Sequence, residues 1–234
     1  MVKLIRLEWK KNRIGRYILA AAAVAVLLCL FIFALTFWGI ASEPDGTLDA
    51  APGAGRISAS IELFTSMSFL VFAGVMLASF IVSSYKNKTM NLMFSYPIRR
   101  QKILASQMAA VWIFNFTALI LTKAAVYACV SIGAGFLQSP FAIDFDMGSL
   151  SFYIPLILKS FSVVSMSFIA LFAGMAMKSS KATIITSFLL IFLTQANVGD
   201  LTMADQPVFP IVLTVISFLF AGMSLYNVEK RDLK

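Results

Sequence analysis

The chain has no histidine among its 234 residues, two cysteines, and charge on only 13% of its positions. Each scarcity removes a class of chemistry. Without histidine there is no His-Glu-x-x-His metalloprotease and no imidazole proton relay. Cys29 and Cys129 both fall inside apolar stretches; they give no disulfide framework and read as small buried hydrophobes. No Gly-x-x-x-x-Gly-Lys-Ser/Thr loop is present to cradle nucleotide phosphates. Gly-x-Ser-x-Gly is missing too, as is a mid-span pair of carboxylates for an aspartyl dyad. The expectation is a chain with no catalytic centre, no metal site and no bound cofactor of its own.

What is abundant is apolar. With 60% hydrophobic residues, the chain has too little polar surface to cover a soluble globule of this length, and its natural solvent is lipid. Six apolar stretches divide it, at about 17–40, 61–83, 103–128, 152–177, 182–198 and 209–227, against about 20 residues needed to cross a bilayer. The fifth is short and has a polar outer end, Thr194, Gln195 and Asn197. A signal peptide is the rival for the first stretch, but its apolar run exceeds the usual 7–15 residues or so.

Charge sorts by sign across these stretches. Of the 19 Lys and Arg residues, 16 lie before the first stretch, between the second and third, between the fourth and fifth, or after the sixth. The alternate connectors hold Glu43, Asp45, Asp49, Glu62, Asp144, Asp146, Asp200 and Asp205, with Arg56 as their one basic residue. By the positive-inside rule the basic segments and both termini face the cytoplasm. A net charge of +8 does not imply nucleic acid here, because the cations abut apolar spans, where lipid headgroups or a cytoplasmic partner are nearer. The fold expected is all-α: a single transmembrane domain over 1–234, with six membrane helices.

Two cations fall inside spans. Counting along the third stretch puts Lys123 close to the outer surface, where it can snorkel; Lys159 is deeper, with Glu62, Asp144 or Asp146 as partners. Lys159, Ser162 and Asn115 are candidates for a translocation path, although hydroxyl and small residues also serve as glue between membrane helices.

Two cytoplasmic segments carry the most information. Residues 2–16 suit one helix in which Lys3, Arg6, Lys10 and Arg13 make a basic stripe, with Trp9 apt for the membrane interface. In segment 84–102, Met90, Met93, Phe94 and Pro97 follow i, i+3, i+4, i+7 spacing, with Thr89 as N-cap and Arg99 and Arg100 beyond. Such a Met-Phe stripe suits either a groove on a partner or the inner leaflet.

With Lys88-Thr89, Leu92-Met93-Phe94, Pro97-Ile98-Arg99-Arg100 and the return at Ile103-Leu104, the sequence resembles the six-span permeases of ATP-binding-cassette transporters of the type-2 exporter class. It departs from them in Lys88, where Gly is usual, and in Tyr85, near where an acidic residue often falls. The resemblance implies that Thr89, Met90, Met93, Phe94, Pro97, Arg99 and Arg100 form a coupling helix docked on a separate ATPase subunit. It likewise implies that Lys3, Arg6, Trp9, Lys10 and Arg13 belong to an interfacial helix on the inner leaflet. ATP and Mg²⁺ would be held by that partner, and a second copy or sister permease would complete the exporter. The cargo would be amphipathic: a peptide antibiotic, a drug or a lipid. A softer resemblance is to bacterial peptide-antibiotic export and self-protection permeases. A non-transporting scaffold or sensor is the alternative from another class; a secondary transporter is disfavoured because no mid-span carboxylate is available for ion coupling.

Overall fold

The structure is a computed structural model and describes residues 2–38, 56–83, 100–137, 145, 147–195 and 208–230. Every regular element among them is helical: α1 (Val2–Lys11), α2 (Gly15–Phe37), α3 (Arg56–Leu77, continued by a π turn at Ala78–Val82), α4 (Arg100–Leu137), α5 (Leu150–Ala176), α6 (Ser180–Gln195) and α7 (Val208–Lys230). Helix is what lipid demands of such sequences, since each backbone amide must find its partner within its own segment. Among the described residues, four helical stretches are long and apolar enough to cross a membrane: Gly15–Phe37, Ile57–Val82, Gln101–Gly133 and Phe152–Ala176. The apolar stretches Ser180–Phe192 and Pro210–Tyr226 are shorter.

The boundaries differ from expectation where backbone chemistry intervenes. Residues 2–16 are not one helix. The Ile14 amide bonds back to the Trp9 carbonyl and the Arg13 amide to that of Lys10, with Arg13 in the left-handed region at φ 49°. This paired closure is a Schellman stop, which frees α1 to turn away from α2. The same device, with Lys178 at φ 49°, ends α5, where Ser179 bonds to Gly174 and Lys178 to Met175. Only three residues then separate α5 from α6. Helix α4 is far longer than its expected span, 38 residues or about 57 Å at 1.5 Å each, because no proline interrupts the run beyond Lys123. Helix α5 begins at Leu150, ahead of its expected start near 152, with Pro155 in its second turn.

Helices α3, α4 and α5 touch one another pairwise and form a central triad. Three outer helices each cover one groove of it: α2 over α3 and α4, α6 over α3 and α5, α7 over α4 and α5. Burial follows this order, with 67% of the best apolar window of α3 buried against 17% for α2. The core is stacked in three tiers. The first joins Met76, Phe80, Leu104, Met108, Leu171 and Met175; the second Phe69, Leu70, Leu119, Val164, Met166 and Leu190; the third Leu28, Ile32, Ile61, Val126, Tyr127 and Leu156. Their order along each chain makes α2 and α4 parallel to each other and antiparallel to α3 and α5. At the first-tier end the exposed cations gather, among them Arg6, Lys10, Arg16, Lys102, Lys178 and Lys181; we call it the basic end.

The bundle sets hydroxyl, amide and charged groups among its apolar core residues and turns large apolar side chains outward. Leu27, Leu30, Ile185, Leu189, Phe192 and Leu219 are all more than 60% exposed, while Thr65, Ser106, Asn115, Ser160, Ser187 and Ser224 are buried. Water would reject such a surface; hydrocarbon accepts it. Several buried hydroxyls return their protons to their own helices: Ser160 donates to Leu156, Ser187 to Thr183 and Ser217 to Leu213, each four residues back.

Candidate functional site

Two polar clusters stand out among the described residues, one near each end. At the basic end, α1 lies across the start of α4. Trp9 Nε1 donates to the Ala110 carbonyl at 3.1 Å, and Gln107 Nε2 donates to Glu8 Oε1 at 3.2 Å. Asn12 Nδ2 donates to the Glu8 carbonyl at 3.2 Å, closing the cluster within α1. Glu8 is 6% exposed, while Lys3, Arg6, Lys10 and Arg13 are exposed. The helix thus turns its one carboxylate and its indole toward the bundle and its cations away from it. Such a face suits anionic headgroups or an acidic partner surface. The π turn at the end of α3 is tied to α2 beside it: Tyr17 and Ser79 hydroxyls meet at 2.9 Å, and the Tyr17 ring packs edge-on to Phe80 at 5.1 Å. The end of α3 and the start of α4, which flank segment 84–99, therefore both lie at this end, where α1 crosses α4.

Toward the other end, Lys123 Nζ bonds Glu62 Oε2 at 2.7 Å, joining α4 to α3. The expectation that Lys123 snorkels at the outer surface is overturned, for its side chain has 0% exposure. Two physical reasons account for it. Side chains on a helix lean toward its N-terminus, so Lys123 on α4 leans back toward the basic end. One turn beyond it, Tyr127 closes the way out, packed at 4.8 Å on both Phe145 and Phe152. Glu62, one of the three partners expected for Lys159, pairs with Lys123; Asp144 and Asp146, the other two, lie outside the described residues, and Lys159 lies close enough to act on Lys123 electrostatically. Glu62, Lys123 and Lys159 form a cluster contributed by all three central helices.

The three candidates for a translocation path do not converge. Asn115 is buried against α3, its Nδ2 on the Val111 carbonyl at 2.9 Å and on Met76 Sδ at 3.4 Å. Ser162 faces α7, donating to the Pro210 carbonyl at 3.1 Å and accepting from Thr214 at 2.9 Å. Lys159 belongs to the ion cluster. Of the segment expected to dock a partner, Arg100 opens α4, while Thr89, Met90, Met93, Phe94, Pro97 and Arg99 lie outside the described residues.

The Glu8–Gln107 contact was missed from sequence, although a signal existed: Glu8 is the single acid amid the six cations of the first 16 residues. Cys29 on α2 and Cys129 on α4, expected as buried hydrophobes, are each partly exposed.

No family model matches the chain, and no solved structure matches it. It is 26% identical over 237 residues to the uncharacterized protein YcbO of Bacillus subtilis (strain 168), an alignment that covers 99% of this chain and 100% of that protein.

Proposed function

We propose that this chain is the membrane-spanning permease subunit of an ATP-binding-cassette exporter, crossing the cell membrane six times with both termini in the cytoplasm. The observation that carries this reading is the convergence at the basic end. Helix α1, the tied π turn of α3 and the start of α4 sit together there, and they bracket segment 84–99 with its Met-Phe stripe and Pro-x-x-Arg sequence. An ATPase seated on that segment would pull on α3 and α4, two of the three central helices. Because α1 is hydrogen-bonded to α4 through Trp9 and Gln107, it would move with them. A second copy or a sister permease would complete the transporter, and ATP with Mg²⁺ would reside on the ATPase. The apolar faces and hydroxyl-lined seams suit an amphipathic cargo, such as a peptide antibiotic or a lipid-like compound, moved out of the cytoplasm.

Co-purification tests this. Tagged full-length protein in mild detergent should bring down a P-loop ATPase, and M93A/F94A or R99E/R100E should release it with α1 still protected from proteolysis. Recovery of well-folded permease with no ATPase would favour a non-transporting scaffold.

A further inference from the structure

The cysteines lie on the two parallel helices α2 and α4, which pack along their length. Their register is fixed from two sides. One turn beyond each cysteine, the Phe33 ring lies where a Cβ on Gly133 would be, so the absence of a side chain at 133 lets the two helices approach. Around the cysteines themselves, Leu28 and Ile32 of α2 share a core cluster with Val126 and Val130 of α4, and Cys29 packs against that cluster. Both thiols are partly exposed, and α2 itself is largely uncovered toward the outside of the bundle. Because the helices run parallel and Phe33 meets Gly133 four residues beyond the two cysteines, Cys29 and Cys129 lie at the same level of the α2–α4 seam, close enough to interact.

We propose that Cys29 and Cys129 are an oxidisable dithiol, closing an α2–α4 disulfide when a lipid-soluble two-electron oxidant of the quinone class reaches them from the bilayer. Both S–H bonds break and one S–S bond forms as the quinone takes up the two electrons and two protons released, becoming its quinol. The product staples the least buried membrane-length helix to the centre of the bundle and forbids separation of α2 from α4. The proposal stands independently of the transport reading, since it needs only these two helices and a lipid-facing flank.

The experiment uses full-length protein in liposomes, exposed to a short-chain quinone and then denatured in SDS before alkylation with a polyethylene-glycol maleimide. Untreated protein should take up two labels per chain, and oxidised protein almost none, at monomer mobility, with both labels restored by dithiothreitol. Its intact mass should fall by two hydrogens. Cys29→Ser and Cys129→Ser, each close to isosteric, should keep one alkylatable thiol whether or not quinone is added. Two labels persisting after oxidation, a mass gain from a quinone adduct, or a disulfide-linked dimer would each overturn the proposal.

Discussion

Glu62 and Lys123 show how much one residue can ask of a membrane fold. Removing two charges from water is expensive, and their attraction repays it only when neither loses its partner. The two sides are not equivalent, because Lys123 has 0% exposure and the Glu62 side chain keeps 19%. Glu62→Leu strands a fully buried ammonium next to Lys159 and should cost about 3–5 kcal/mol. Lys123→Met leaves a partly hydrated carboxylate with Lys159 nearby and should cost less. The double variant should lie closer to wild type than Glu62→Leu alone, as measured by thermal unfolding in detergent through a double-mutant cycle. Strictly additive losses would show that the pair is not coupled. From sequence, the existence of an intramembrane lysine was legible but not its burial. A count along one helix places Lys123 near a surface only if the bundle ends there, and α4 continues to Leu137 with Tyr127 and Val130 packed beyond it.

At the scale of elements, the fold depends on three outer helices lying close to a central triad, and small residues permit this. A Cβ on Gly174 would collide with the Thr183 side chain, and one on Gly74 with that of Ser187, so α6 is seated against α5 and α3 through glycines. Close approach through small residues, rather than burial of apolar surface from water, is the usual source of helix association in lipid. Gly174→Ala should therefore destabilise the protein by about 1–3 kcal/mol. Adding Thr183→Ala, which removes the colliding Oγ1 but keeps the Cβ, should recover only part of the loss, read as the shift in unfolding temperature. Complete recovery would place the strain elsewhere. The sequence shows Gly174 and Thr183 on either side of a short turn, yet it does not show that they meet. That depends on how far α6 rotates about its own axis, and each face of α6 is apolar enough to serve.

For the whole molecule, the segregation of charge predicts that the basic end occupies one side of the membrane. In a background lacking Cys29 and Cys129, single cysteines at positions 11, 178 and 230 should react with an impermeant maleimide from one side, and those at 49 and 200 from the other. Reaction of 178 and 200 from the same side would break the alternation of crossings. The sequence by itself determined that the chain is helical, that several helices are apolar enough for lipid and which connectors share a sign of charge, because these are sums over segments and need no knowledge of neighbours. Only the tertiary structure decided that α3, α4 and α5 are central, that α1 turns back over α4, that Lys123 is enclosed and that two cysteines a hundred residues apart share one layer. The reason is physical. In a water-soluble bundle the polar stripe of each helix marks its outward face, whereas these helices are apolar on nearly every side. Their lateral order is set by where a glycine, a hydroxyl or a charge finds its complement across a seam.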